Sequence, residues 1–311
     1  MTELVLHHYD ASPFGRKVRA ALGYKNLAWR SAEVAMQPPR PSLATLAGGY
    51  RRIPVLQVGA DVFCDTNLIL RVLDVLHPEP PLRPAHDALT VPVSQFYEPR
   101  LFQHFSPLRF RTREDAAGAF GAGDDRAAFL QDRAGFMAPM LDVGKNRDNV
   151  QTCAAHARLF TGWLEGLLAD GRAYLQGDAP THADFSAWHP LHWLRGYSAH
   201  RDFLSDFTRV WAWVERVAAL GEGTRTPITA AEALTIAREA APSFRLPEAP
   251  MHGDPAVGAR VRVAPVDYGV DPVEGTLSSI GADHVSVARA PDETGDVRVH
   301  FPRWGYRVDA I

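Results

Sequence analysis

The stretch Arg52-Ile53-Pro54-Val55-Leu56-Gln57-Val58-Gly59-Ala60-Asp61-Val62-Phe63-Cys64-Asp65-Thr66 carries two short apolar runs around one turn signal. Gly59-Ala60-Asp61 reads as a hairpin turn, so the runs pair as adjacent antiparallel strands. Asp65-Thr66 then opens a helix in which Leu68, Ile69, Val72, Leu73 and Leu76 form one apolar face. Upstream, Glu3 to His8 is a strand of branched and aliphatic residues, and Leu27 to Val34 is a second one. Between them Ser12-Pro13 opens a helix to about Gly23, with Val18, Ala21 and Leu22 on one side. The order is βαβ followed by ββα in residues 1–78. A central sheet flanked by helices is the economical way to bury that pattern.

Downstream, His77 to Pro84 (HPEPPLRP) is a stiff proline-rich connector, and the signal over 85–241 is helical. Phe203, Phe207, Val210, Trp211, Val214 and Val217 recur at three- and four-residue steps, the buried face of a long helix. Gly118 to Asp125 interrupts this region as a loop and lacks the glycine spacing of a dinucleotide site. Pro242 to Pro255 marks a second boundary. Beyond it the period becomes two, at Val261-Val263, Val285-Val287 and Val297-Val299-Phe301, which predicts a compact all-β module over 251–311, an SH3-like small barrel. The module is expected to sit as an accessory on the main body or on a partner subunit without supplying a chemical group. The alternative is that it folds across the site with Trp304 and Tyr306 as contacts.

At 311 residues, two or three domains are expected. A composition of 46% hydrophobic and 22% charged residues, with net charge −3, is that of a globular chain without the basic face of a nucleic-acid binder. Residues 251–311 hold six arginines against nine carboxylates, so the β module itself repels a phosphate backbone. No apolar run approaches the ~18 residues of a membrane span, and His7, His8 and Asp10 break the apolar core a signal peptide needs. Cys64 and Cys153 cannot build a disulfide framework, and Cys64 reads as a small buried apolar residue. A reducing, cytoplasmic home is the default.

Four places carry a family resemblance. Tyr9-Asp-Ala-Ser12-Pro13-Phe14-Gly-Arg-Lys17-Val18-Arg19 resembles the turn from strand one into helix one of the glutathione S-transferase family, serine-type and bacterial-like. Ile53-Pro54 is similar to its cis-proline, and Asp65-Thr66 to its acidic-plus-hydroxyl pair. Tyr174-Leu-Gln-Gly177-Asp178-Ala-Pro180-Thr181-His-Ala-Asp184-Phe185 resembles its helical-domain capping segment, in which Thr181 and Asp184 cap reciprocally. The resemblance covers roughly residues 3–240. It implies a thioredoxin-like glutathione-binding domain, 1–78, and an all-α domain, 85–241; the β module is an addition. Overall the class is α+β and multidomain.

By the resemblance, Ser12 is the catalytic residue that activates the glutathione sulfur. Phe14, Ile53, Pro54, Asp65 and Thr66 bind the tripeptide: Ile53 pairs with its cysteinyl backbone, and Asp65 with Thr66 holds its γ-glutamyl end. A thiol with a reference pKa of about 8.5 is mostly protonated at neutral pH, and a hydroxyl donor plus a helix N-terminus favour its anion. Each feature also has a plainer use. Ser12-Pro13 is an ordinary N-cap with proline at the first helical position, Pro54 can be an edge-strand proline, and Asp65 or Thr66 can simply cap a helix. Tyr9 is the alternative hydroxyl.

Other constellations compete. His189 and His192, with His182 nearby, suggest a metal site, but Pro190 and the missing carboxylate spacing favour satisfied histidines and no metal. Phe96, Tyr97, Phe102, Phe105 and Phe110 line an electrophile pocket or simply pack between helices. The expected activity is that of a glutathione transferase moving alkyl or aryl groups, with glutathione as co-substrate and attack by its thiolate on a small electrophile, as in detoxification, or a glutathione-dependent reduction. The alternative is a non-catalytic glutathione-binding or regulatory protein of the same fold. A homodimer is expected, with no nucleic acid and no membrane.

Overall fold

The computed structural model describes residues 3–84, 88–109, 111–112, 114–115, 131–136 and 150–311. Phe110 and the loop from Gly118 to Asp125 lie outside the described residues. The first unit is β1 (Val5–His8), α1 (Pro13–Tyr24), β2 (Ala28–Glu33), α2 (Pro41–Ala47), β3 (Val55–Val58), β4 (Asp61–Cys64) and α3 (Thr66–Leu76). β1 pairs parallel with β2 and antiparallel with β3, and β3 pairs antiparallel with β4, a thioredoxin-like sheet.

Helices α4 (Thr90–Arg109), α5 (Val150–Leu167), α6 (His182–Leu194) and α7 (Thr208–Ala218) form the all-α part. Val210, Trp213, Val214 and Val217 bury the inner face of α7. Asp184 organises the start of α6. Its carboxylate accepts from the backbone N–H of Thr181 at 2.9 Å and of Leu175 at 2.8 Å, and from Trp213 Nε1 at 2.9 Å. A local cap and a long-range tie are thus made by one buried side chain. Leu68, Ile69, Val72 and Leu73 of α3 share one core with Tyr97, Leu101, Phe105 and Trp188, so α3 is the seat of the helical layer.

Two features depart from the expected layout. After α7 the chain returns to the sheet as β5 (Thr224–Ile228), which pairs parallel with β2, followed by α8 (Ala230–Arg238). The helical reading of 85–241 contained no such strand. Thr224-Arg225-Thr226-Pro227-Ile228 has no apolar alternation and carries a proline next to its end, a composition that fits a sheet edge; its order comes from the backbone of β2.

The second departure is at the other edge. β6 (Arg260–Pro265), β7 (Val273–Ile280), β8 (His284–Arg289), β9 (Val297–Pro302) and β10 (Tyr306–Ala310) form a strand-rich unit in the order β10-β6-β7-β8-β9. β9 pairs parallel with β4, Val62 opposite Val299, so among the described residues one sheet of ten strands is continuous. Val261, Val273, Leu277, Val287, Val299 and Phe301 share a core with Leu43 and Leu46 of α2 and with Val55, Val62 and Cys64. Asp61 fastens the join. Its carboxylate accepts from Ser243 N at 2.7 Å, Phe244 N at 2.8 Å and His300 Nε2 at 2.8 Å.

Candidate functional site

Strand register gathers the three N-terminal motifs. Val55 lies opposite His7 of β1 on one side and Cys64 of β4 on the other. The loop leaving β1 toward Ser12, the Ile53-Pro54 pair entering β3 and the Asp65-Thr66 pair leaving β4 therefore emerge at one end of the sheet. The N-termini of α1 and α3 point to the same end, and two helix N-termini give that end a positive potential suited to anions.

Ser12 is the N-cap of α1. Its backbone N–H donates to Tyr9 O at 3.1 Å, and its hydroxyl oxygen accepts from Gly15 N at 3.0 Å. That bond uses a lone pair and leaves the hydroxyl hydrogen to give to another acceptor. The residue is only 2% exposed. Phe14 is half-buried, its ring 4.8 Å from Phe102 and 4.6 Å from His189. Pro54 is buried behind a half-buried Ile53, and the peptide bond between them is cis.

Asp65 is the N-cap of α3 and has φ +76°, a backbone conformation costly for a residue with a Cβ. One carboxylate oxygen accepts from Asn67 N at 2.9 Å. Burial raises the Asp65 carboxyl above its ordinary range, with Arg52 opposing. The same burial, with Asp65 alongside, pushes the Cys64 thiol far up, in keeping with an inert packing residue.

Thr66 is tied into a buried polar network that sequence reasoning missed. Lys17 Nζ donates to Thr66 Oγ1 at 3.1 Å, Asn67 Oδ1 at 3.2 Å and Glu98 Oε1 at 2.6 Å. Glu98 also accepts from His189 Nε2 at 3.0 Å, and His182 Nε2 donates to Asn67 Oδ1 at 2.8 Å. Burial alone would raise the Glu98 carboxyl; Lys17, helped by His189, overcomes it and holds Glu98 at about 2. Burial lowers His189 despite Glu98, and burial with Lys17 and Arg83 lowers His182 further. A charged lysine–glutamate pair between neutral histidines thus braces the first turn of α3 from the helical layer. Lys17 stood in the quoted motif, but nothing local marked Glu98 or Asn67 as its partners.

The histidines separate by partner. His189 faces Glu98, His182 faces Asn67, and His192 lies against the Trp188 ring at 4.7 Å. Among the described residues no group of three or more His, Cys, Asp or Glu is arranged to hold a metal ion. The aromatic stretch divides too. Tyr97 and Phe105 are core, while Phe102 stacks with Trp193 at 5.6 Å beside the Arg109 guanidinium, which lies 4.2 Å over the Trp193 ring.

Comparison with known proteins fits this geometry. Residues 6–81 match the family described as glutathione S-transferase, N-terminal domain, and residues 154–216 match glutathione S-transferase, C-terminal domain. A crystal structure of a GST-like protein from Pseudomonas syringae is 32% identical, with each chain covered in full and a TM-score of 0.82. The chain belongs to the glutathione S-transferase family. A glutathione transferase family member from Pseudomonas fluorescens, solved with two glutathione molecules bound, shares the fold at 16% identity, over 70% of this chain and 92% of that one, with a TM-score of 0.51. Glutathione transferase F7 from Populus trichocarpa does so at 17% identity, over 70% and 93%, with a TM-score of 0.50. A search of curated protein sequences finds no match.

The added strands of this transferase-family chain do not stay clear of the motif end. Tyr306 Oη donates to Asp65 Oδ2 at 3.3 Å and lies 2.6 Å from Tyr50 Oη. Arg52 donates through Nε to Tyr268 O at 3.2 Å, pairs with Asp267, and stacks 3.9 Å over the Tyr268 ring. Of the two contacts that the alternative had named, Tyr306 reaches Asp65, whereas Trp304 is 74% exposed. A cavity of about 360 Å³ opens beside this wall, with Arg40, Tyr50, Arg51 and Asp271 among its lining. No helix among the described residues is long and apolar enough to cross a membrane.

Proposed function

We propose that the protein binds glutathione at the end of the sheet where Ser12, Ile53-Pro54 and Asp65-Thr66 meet, and presents its thiolate to an electrophilic small molecule. The observation that carries the reading is the common placement of three motifs separated by up to 54 positions (Ser12 to Thr66), at two helix N-termini. Asp65 accepts from the γ-glutamyl ammonium, Thr66 and the first amides of α3 donate to its carboxylate, and Ile53 pairs with the cysteinyl backbone. Pro54 and Phe14 shape the wall around the sulfur, and Ser12 donates to it. Phe14, Phe102 and Trp193 offer the second substrate an aromatic floor. In this reading 1–78 binds glutathione, 85–241 supplies the electrophile side and 251–311 backs the γ-glutamyl side, in a cytoplasmic enzyme of detoxification.

Calorimetry with glutathione tests it. Binding weakens on Asp65→Asn and on Thr66→Ala; unchanged affinity in both variants sinks the assignment. The burial of Ser12 favours a second reading, a glutathione-binding protein without useful turnover. Retention on immobilised glutathione with no conjugation or reduction across an electrophile panel supports that one. A homodimer belongs to the proposal, supported by the exposed apolar side chains Phe96, Leu159, Trp163 and Leu167 on α4 and α5, and light scattering at micromolar concentration measures it.

A further inference from the structure

We infer that Tyr306 is a positioning residue of the γ-glutamyl site: its hydroxyl aims the Asp65 carboxylate at the incoming ammonium, so that the C-terminal strands complete the site. The inference rests on the reading that Asp65 holds the γ-glutamyl end of glutathione. The geometry is directional. An ionised carboxylate can only accept, so the 3.3 Å contact has Tyr306 Oη donating to Asp65 Oδ2. Tyr306 oxygen is then the acceptor for Tyr50 Oη at 2.6 Å, and the relay runs Tyr50 to Tyr306 to Asp65. Asn67 N holds the other carboxylate oxygen at 2.9 Å. With one donor on each oxygen, the plane of the carboxyl group is fixed while lone pairs remain on both oxygens for a ligand.

The donor itself is held firmly. Tyr306 is 9% exposed and Tyr50 3%, and their rings stack at 6.5 Å and pack on Phe301. β10 delivers Tyr306 by pairing with β6, Tyr306 opposite Pro265. The loop after β6 closes the same wall from the side, through Asp267 and Tyr268 on Arg52, the residue preceding Ile53. The ring of Tyr306 is what packing needs, whereas its hydroxyl matters only to Asp65 and Tyr50. Pre-organising an acceptor in this way lowers what binding has to spend on ordering it.

The separation of ring from hydroxyl defines the experiment, on the full chain. Calorimetry compares wild type, Tyr306→Phe, Tyr50→Phe and Asp65→Asn with glutathione and with glutaryl-cysteinylglycine, which lacks the α-amino group. Tyr306→Phe is expected to weaken glutathione by about ten-fold, near the worth of one hydrogen bond to a charged group, and Tyr50→Phe by less. Binding of the desamino peptide should be the same in wild type and Tyr306→Phe. If Asp65→Asn weakens glutathione but Tyr306→Phe does not, the hydroxyl has no positioning role and the inference falls alone. Equal loss for both peptides in Tyr306→Phe would also overturn it, because the effect would then be packing. If Asp65→Asn leaves glutathione affinity unchanged, the γ-glutamyl assignment fails first and takes the inference with it.

Discussion

Replacing Ser12 separates the capping job that its hydroxyl performs at the start of α1 from the thiolate-stabilising job that the proposed function gives it. As N-cap, Ser12 Oγ accepts from Gly15 N at 3.0 Å, and alanine there costs about 1 kcal/mol of stability, glycine only a few tenths. As donor to a bound thiolate, the same group stabilises the anion by about 1.5–3 kcal/mol. At about 1.4 kcal/mol per pKa unit, that corresponds to a rise of roughly one to two units in the bound thiol when the hydroxyl is lost. Ser12→Ala and Ser12→Gly should therefore shift the thiol titration equally while differing in stability by several tenths of a kcal/mol. The measurements are the ultraviolet absorbance of the thiolate in the protein–glutathione complex against pH, and urea unfolding of each variant. The pH–rate profile should move alkaline in both. If both variants titrate like wild type, the sulfur is not held by Ser12, and Tyr9 becomes the hydroxyl to test. A shift in Ser12→Ala alone would mean that the helix terminus, and not the side-chain donor, acts on the sulfur.

Two further outcomes bear on the frame that holds the site. Asp61→Ala should cost about 2–4 kcal/mol in urea unfolding, because it strands the buried N–H of Phe244, the part-buried N–H of Ser243 and His300, all now bonded to one carboxylate; an unchanged midpoint would show that Asp61 does not clamp the added strands. Burial, opposed by Gln57, pulls His7 down to about 4, so the folded state binds fewer protons than the unfolded state between roughly pH 6.5 and 4. Stability from this group is complete above pH 6.5 and is lost as pH falls through that window, by on the order of 3 kcal/mol. His7→Asn should flatten that part of the stability–pH curve, and a curve of unchanged slope refutes the assignment.

What could be read in the sequence was what neighbours in sequence decide. The β3–β4 hairpin, the Ser12 cap with Pro13 behind it, and the Thr181–Asp184 box each depend on residues within a few positions of one another. Tyr306 and Asp65 are 241 positions apart, and Tyr50 and Tyr306 are 256 apart, so no local pattern could bring them together. The alternative that named Tyr306 had only an aromatic residue near a chain end to go on. One signal did exist. Asp61-Val62-Phe63-Cys64 is buried at every position, and a strand covered on both faces carries a near-continuous apolar run. Val62-Phe63-Cys64 has that character, and the polar Asp61 at its start is the residue that needs a partner such as His300.

The covered edge of β4 also limits how copies of this chain can meet. An edge strand presents unpaired N–H and C=O groups that template association with another chain. In this molecule β9 takes up those groups from the same chain, at Asp61, Val62 and Phe63, and Arg298 N donates to Ala60 O at 2.9 Å. A homodimer built through that edge would have to break the parallel pairing and expose the valine core shared by β6 to β9 with α2. Burial of a valine is worth about 1.5–3 kcal/mol, and several are involved. A second copy therefore has far more to gain from the apolar side chains already exposed on α4 and α5, where association uncovers nothing. The added strands that carry Tyr306 to Asp65 thus also move the open edge of the sheet from β4 to β10.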